Sequence, residues 1–219
     1  MDKWASNDQF IVENLIREDV SQIRAMQARR ENELPEMEVS PAQGKFLYLI
    51  ARIRNAQRIL EIGTFCGYST IWLAKAVPDD GIVISLEHNE SCVEIARRSL
   101  ERSGLSCKAK VIHGDAIELL RSLVEENCEP FDMIFIDADK PNYSKYLELS
   151  LKLSKPGTVI YGDNVIRDGE LCNPATSDPK VEGVRTFIEN MGELGKIEST
   201  AIQTVGVKGY DGFTLSVVL

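Results

Sequence analysis

Nothing in this sequence is long and apolar enough to cross a bilayer: no uninterrupted hydrophobic run approaches the roughly 20 residues a membrane helix needs. The opening residues, MDKWASNDQF, lack the charged-then-apolar layout of a secretory leader, which sets the expectation of a cytoplasmic protein with no membrane partner. Paired cysteines are missing as well. Cys66, Cys92, Cys107, Cys128 and Cys172 are odd in number and far apart, with no C-x-x-C among them, so neither a zinc cage nor a disulfide framework is expected. Excess positive charge is absent: the formal net charge of −9 argues against electrostatic capture of nucleic acid. Repeats, low-complexity tracts and second-domain linkers are not found either. What remains is 219 residues, 43% hydrophobic and 27% charged, ordinary proportions for one α/β domain with a self-sufficient core.

Helical spacing comes first along the chain. Phe10, Ile11, Leu15 and Ile16 recur on one face of a first helix, and Val20, Ile23 and Met26 on one face of a second, with Asp19 suited to cap it. Residues 31–40 carry Pro35 and lose periodicity, so they read as a loop. Pro41 suits the first turn of a third helix whose apolar face includes Phe46, Leu49, Ile50 and Ile53. From residue 57, short apolar segments alternate with helical ones. Strands are expected at 57–63, 82–87, 108–114, 131–137 and 157–162; one intervening helix presents Val93, Ile95, Ala96 and Leu100. That alternation is βαβ spacing and predicts a parallel sheet covered on both faces. A last helix carries Val181, Val184, Ile188 and Met191. Two more strands, 197–205 and 213–219, are separated by too few residues for a crossover and should pair as an antiparallel hairpin.

One stretch carries more information than the rest: RILEIGTFCGYSTIWLA, from Arg58 to Ala74. An apolar run ends in a turn bracketed by Gly63 and Gly67, and a helix follows. Such a turn aims free backbone N–H groups and a helix N-terminus at a ligand. A dinucleotide fingerprint needs a second glycine where Phe65 stands, and Phe65 keeps the backbone from hugging a pyrophosphate. Glu61, two residues before Gly63, is a poor neighbour for phosphates and suits a ligand carrying positive charge, such as an ammonium or a sulfonium.

In open α/β sheets, ligands sit outside the carboxyl ends of the strands. Here those ends read Glu61-Ile62-Gly63, Glu87-His88, Gly114-Asp115-Ala116, Asp137-Ala138-Asp139-Lys140 and Asp163-Asn164. Glu87 stands where an acid binds the ribose hydroxyls of a nucleoside, or where an acid favours a helix N-terminus. His88 falls beside an adenine or on the surface, and His113 reads as structural. Asp115 is a helix cap, a contact for adenine through Asp115 and Ala116, or both. Asp137, Asp163 and Asn164 offer three hard oxygen ligands, which leaves a six-coordinate ion such as Mg²⁺ about three open positions. Lys140 can reach the same spot and serve there as a base. The alternative makes Asp139 and Asp163 caps and Lys140 a solvated charge.

The segments EIGTFCGYST (61–70), SLEHN (85–89), GDA (114–116), IDADKPNY (136–143), DNVIRDG (163–169) and YDGFTLSVV (210–218) together resemble the class I S-adenosylmethionine-dependent, metal-dependent O-methyltransferases of the catechol and caffeoyl-CoA type. The resemblance runs from about Met37 to the C-terminus, and DADKxNY followed by a later DN is its most specific part. It implies a Rossmann-like methyltransferase fold: a seven-stranded, mostly parallel sheet with a C-terminal antiparallel hairpin and helices on both faces. It also implies S-adenosylmethionine as methyl donor and a divalent metal, Mg²⁺ first, with Ca²⁺ or Mn²⁺ as alternatives. Asp137, Asp163 and Asn164 match the metal ligands. Lys140 matches the group that takes the hydroxyl proton and, with Asp137, makes the catalytic pair. Val39, Glu61, Gly63, Ser69, Glu87, Ala116 and Asp137 match donor-holding positions, and Thr64, Gly67, His88 and Asp115 lie in the same turns.

The expected organisation is a single O-methyltransferase domain over 1–219. Residues 1–56 would be helices contributing a lid and a dimer surface, and 57–219 the donor- and metal-binding α/β core. Residues 29–43 and 165–180 are the expected lid segments. The expected reaction moves a methyl group to a hydroxyl of a small aromatic, catechol-like or caffeoyl-type acceptor, in a homodimer. Methylation of a hydroxylated tRNA nucleoside and a non-catalytic donor-binding module are the alternatives. Phe187-Ile188 in place of the family's phenylalanine–asparagine pair, Lys196 in place of an arginine, and Tyr210 in place of a glycine leave the donor and metal positions intact.

Overall fold

The turn and strand residues fold much as their spacing suggests, whereas the N-terminal helices present the opposite face to the one expected. The computed structural model describes residues 3–219. The chain divides into two units, one running to Ala116 and one from Ile117 to Leu219. The first holds α1 (Lys3–Leu15), α2 (Val20–Glu31), α3 (Pro41–Arg54), β1 (Arg58–Ile62), α4 (Tyr68–Ala76), β2 (Ile82–Glu87), α5 (Glu90–Arg102) and β3 (Ala109–His113). Its strands are parallel in the order β3-β2-β1. Ile59, Leu60 and Ile62 are fully buried, as a near-continuous apolar run in a parallel sheet requires.

Capping explains where the helices begin. Asp19 accepts a hydrogen bond from the Ser21 amide (2.8 Å), and the Asp19 backbone amide donates to Gln22 Oε1 (3.1 Å), closing a capping box. Ser40 caps α3, with Pro41 at its first turn. The faces, however, differ from expectation. Phe10 (67% exposed), Leu15 (72%), Val20, Ile23, Phe46, Leu49 and Ile53 (80%) lie at the surface, while α2 buries Gln22, Ala25 and Arg29 and α3 buries Gly44, Leu47 and Ala51. Close approach is the physical reason. α3 packs on α4 through small residues, and a Cβ on Gly44 would stand 2.5 Å from the Trp72 ring. At that position no larger side chain fits without moving the ring.

The second unit holds α6 (Ala116–Glu125, starting at the boundary), β4 (Phe131–Ile136), α7 (Tyr143–Lys152), β5 (Ser154–Asp163), α8 (Pro179–Glu193), β6 (Ile197–Gly206) and β7 (Gly209–Val218), with 3₁₀ turns at Lys140–Asn142 and Glu170–Cys172. Its order is β4-β5-β7-β6, parallel between β4 and β5 and antiparallel thereafter. β5 starts earlier than expected. A register shift between Phe131 and Met133 absorbs the Lys-Pro-Gly segment, and the Thr158 hydroxyl pins it by donating to the Phe131 carbonyl (2.6 Å). The final hairpin is also tighter than expected. Gly206 pairs with Gly209 across a two-residue turn, so Tyr210, Asp211 and Gly212 belong to the strand. β6, at the end of the strand order, is exposed along nearly its whole length.

Gly44→Ala is expected to lower the unfolding free energy by about 1–3 kcal/mol, because the Trp72 ring must move. Helix propensity alone, which favours alanine by roughly 1 kcal/mol, would give the opposite sign. Urea denaturation of the two proteins decides between them.

Candidate functional site

In the first unit, the glycine turn is built around two carboxylates. Glu61, on β1, is 0% exposed, and its oxygens accept from the Ser69 (2.6 Å), Thr70 (2.5 Å) and Ser85 (2.5 Å) hydroxyls. Thr64 Oγ1 and Ser85 Oγ, 2.5 Å apart, extend this cluster. Burying a carboxylate is costly unless donors meet it, and here three hydroxyls do. In this arrangement Glu61 anchors the start of α4 and the neighbouring strand β2.

Glu87, at the end of β2, holds the turn from outside. One of its oxygens accepts from the Thr64 (3.2 Å) and Phe65 (2.8 Å) amides, and the other accepts from Asn89 N (2.8 Å). The Gly63 amide donates to Leu86 O (3.0 Å). The expectation of free N–H groups at this turn is therefore corrected for residues 63–65: the strand ladder and Glu87 already use them. The backbone reaches this shape through left-handed angles at Phe65 (φ 50°) and Gly67 (φ 84°), the second of which glycine adopts without a steric cost.

Around this turn, Val39 is buried at the end of the 31–40 loop, which Arg29 fastens. The Arg29 guanidinium meets Glu36 at 2.7 Å and Glu38 at 3.4 Å. The proposed lid is thus tied down at its centre. His88 and His113 are both exposed, and the His88 carbonyl lies 3.1 Å from the His113 ring. Asp115 is exposed and directly precedes α6, next to Ala116. Burial pushes the Cys66 thiol up to about 12 and the Cys92 thiol up to about 11, so both remain protonated at neutral pH and neither is a nucleophile.

In the second unit, the tips of β4 and β5 carry the other group of residues. Lys140 is not a solvated charge: it is 6% exposed. Its Nζ donates to Asp137 Oδ1 (3.0 Å) and to the Tyr143 hydroxyl (2.7 Å). The Tyr143 hydroxyl in turn lies within donating distance of the Ile136 (3.0 Å) and Asp163 (2.9 Å) carbonyls, the residues just before Asp137 and Asn164. Burial first, then the charges of Asp137, Asp163 and Asp211, hold the Tyr143 hydroxyl well above the usual phenol range, so it remains a donor. Sequence reasoning quoted Tyr143 without giving it this role. Its one available signal was the spacing, three residues beyond Lys140 on the same turn.

Asp139 serves as a local anchor, accepting from Asn142 Nδ2 (2.6 Å) and from the Tyr146 hydroxyl. Asp163 is 4% exposed at the end of β5, and Asn164 follows it in a left-handed conformation (φ 55°). Among the described residues, no group of three or more His, Cys, Asp and Glu side chains forms a cation site. The candidate set has two carboxylates and an amide. Among the described residues, the Asn164 side chain makes no hydrogen bond and Asp137 Oδ2 accepts none. The Asn164 amide oxygen and Asp137 Oδ2, hard oxygens beside Asp163, fit an ion of the Mg²⁺ type.

The whole chain was then compared with known proteins. The model of a family described as O-methyltransferase matches residues 9–217. This chain belongs to the O-methyltransferase family. The catechol O-methyltransferase of Niastella koreensis is 45% identical over 215 residues, 98% of this chain and 97% of its own length. That of Mycobacterium tuberculosis is 42% identical, covering 96% and 94%. Among solved structures, an O-methyltransferase from Bacillus cereus in complex with SAH aligns with a TM-score of 0.96 at 47% identity, covering 99% of this chain and 98% of that one. TomG from Streptomyces achromogenes, in complex with SAM, gives 0.96 at 44%, covering 100% and 99%. The fold of this O-methyltransferase is accordingly the expected one, a seven-stranded, mostly parallel Rossmann-like sheet with an antiparallel C-terminal hairpin.

Tyr143→Phe removes the hydroxyl that two buried carbonyls and Lys140 share. The variant is expected to fold but to lose about 1–3 kcal/mol of stability, measured by denaturant unfolding; an unchanged midpoint would contradict the bridging role.

Proposed function

We propose that this O-methyltransferase moves the methyl group of S-adenosylmethionine to one hydroxyl of a small aromatic acceptor bearing two neighbouring hydroxyls, of the catechol or caffeoyl kind, with help from a divalent metal. The observation that carries the proposal is Lys140: a buried amine set between Asp137 and Tyr143, beside the tips that bear Asp163 and Asn164. The names of the relatives, catechol and caffeoyl-CoA O-methyltransferases, and the SAM and SAH bound to structural neighbours support the choice of donor and acceptor.

In the first unit the proposed donor-holding residues are Val39, Glu61, Gly63, Thr64, Gly67, Ser69, Glu87, His88, Asp115 and Ala116. Glu61 contributes by keeping Ser69 and the turn in place, and Glu87 by keeping the Thr64 and Phe65 amides fixed. In the second unit Asp137, Asp163 and Asn164 would hold Mg²⁺, Ca²⁺ or Mn²⁺. Once bound, such an ion is a Lewis acid that favours the ionised form of a chelated hydroxyl. Lys140 Nζ takes the hydroxyl proton, and the resulting ammonium has the Asp137 carboxylate 3.0 Å away as counter-charge. The acceptor oxygen then displaces the sulfonium sulfur from the methyl carbon: an O–C bond forms as the S–C bond breaks. Holding the reactants in line is worth roughly 7–11 kcal/mol of the barrier.

The assembly proposed is a homodimer. Phe10, Leu15, Val20, Ile23, Phe46 and Ile53 are exposed apolar residues of the N-terminal helices, which such an assembly would cover. Five free cysteines fit a reducing, cytoplasmic setting.

With catechols and caffeoyl thioesters as acceptors, turnover in Mg²⁺ should fall at least about 100-fold in chelator. Asp163→Ala should do the same while SAH affinity, read by calorimetry, stays within about twofold. Lys140→Met should lower kcat far more than it raises KM, since it removes a proton acceptor and not a binding contact. Full activity of Asp163→Ala in chelator would sink the metal-assisted mechanism.

A further inference from the structure

The first residues after Asp163 are tied to the start of β7. The chain leaves β5 through Asn164, Arg167, Asp168 and Gly169, all in the left-handed region at φ 54–86°. Three of these are not glycine, and such a run persists only where its surroundings over-determine it. Four successive amides, those of residues 165–168, all donate to the start of β7. Val165 N donates to Gly212 O (3.0 Å) and Asp168 N to Tyr210 O (3.0 Å). Between them, Ile166 N (2.9 Å) and Arg167 N (3.1 Å) both donate to a single oxygen, Asp211 Oδ1, which also accepts from Gly212 N (2.9 Å).

Packing closes the same contact. A Cβ on Gly212 would stand 2.5 Å from Ile166 Cγ1 and 2.5 Å from the Ile202 carbonyl, so the loop lies directly on this backbone. Val165 and Ile166 are buried. Asn164 is therefore held on both sides: Asp163 by its pairing with Phe213, and Val165 by Gly212. A backbone locked in this way fixes where the Asn164 side chain leaves the chain.

We infer that Asp211 is a positioning residue for Asn164: its carboxylate, by accepting three backbone amides, sets the left-handed turn that presents the Asn164 side chain as a preformed oxygen ligand. The inference rests on the reading of Asn164 as a metal ligand given above. Charge strengthens the device, since an ionised acceptor makes shorter and stronger hydrogen bonds to amides than a neutral one. Outer partners of metal ligands typically change affinity by about 10–100-fold when removed.

The test is Mn²⁺ binding to the full-length protein, by calorimetry or electron paramagnetic resonance, with SAH binding measured in parallel. Asp211→Ala is expected to weaken Mn²⁺ binding by about tenfold or more and leave SAH affinity within about twofold, a split that general loosening of the fold would not produce. Asp211→Asn keeps one acceptor oxygen of the same reach. It should recover most of the Mn²⁺ affinity, and it serves as the folded variant if the alanine protein does not fold, with a loss of about threefold expected. Equal Mn²⁺ affinity in the wild type and both variants overturns the positioning role alone, and so does a parallel loss of Mn²⁺ and SAH binding. A wild type that binds no Mn²⁺ overturns the metal reading and this inference with it.

Discussion

A single buried hydroxyl, on Tyr143, joins the parts of the second unit on which its chemistry depends. It lies between two strand-end carbonyls and next to the amine of Lys140, on a side chain that is fully buried. Removing it would take away the one proton these two carbonyls share and one of the two partners of the lysine. The ring itself is wedged edge-on against Phe187 (5.2 Å between centroids), so helix α8 fixes the hydroxyl's position from the other side. Strand-tip geometry is thus set by a residue that bears no charge and faces no solvent.

The first unit solves a similar problem with carboxylates. Glu61 and Glu87 are acids at strand ends, and both already accept from the protein's own donors: hydroxyls for one and amides for the other. The consequence is a turn whose shape exists before any ligand arrives. Preorganisation of this kind lowers the ordering cost of binding.

How much of this could be read from the sequence varied with the physics of each part. The strands were legible because fully buried parallel strands leave long apolar runs, as in Phe131–Ile136. The Asp19 and Ser40–Pro41 helix starts were legible because capping is local chemistry. The orientation of α1 to α3 was not. Periodicity reveals that a stripe of Phe10, Leu15, Phe46 and Ile53 exists but cannot say whether the fold or a partner covers it, and the deciding contact, Gly44 on Trp72, joins distant positions. Tyr210, Asp211 and Gly212 read as loop because glycine marks turns, whereas here Gly212 admits the close approach of Ile166. At the strand tips, the residue types were visible in the sequence, but the bridging hydroxyl and the three-amide carboxylate are properties of distance.

The last strand in the order has a consequence for handling the molecule. β6 runs for ten residues, IESTAIQTVG, with one charged side chain, no lysine and no proline, the devices by which natural sheets blunt an open margin. Its outer row of peptide groups is a template on which an extended segment of another chain can dock, through register-tolerant backbone pairing. Storage at high concentration, or any treatment that bares stretches of unfolded polypeptide, will therefore tend to seed strand-to-strand recruitment at this ribbon first.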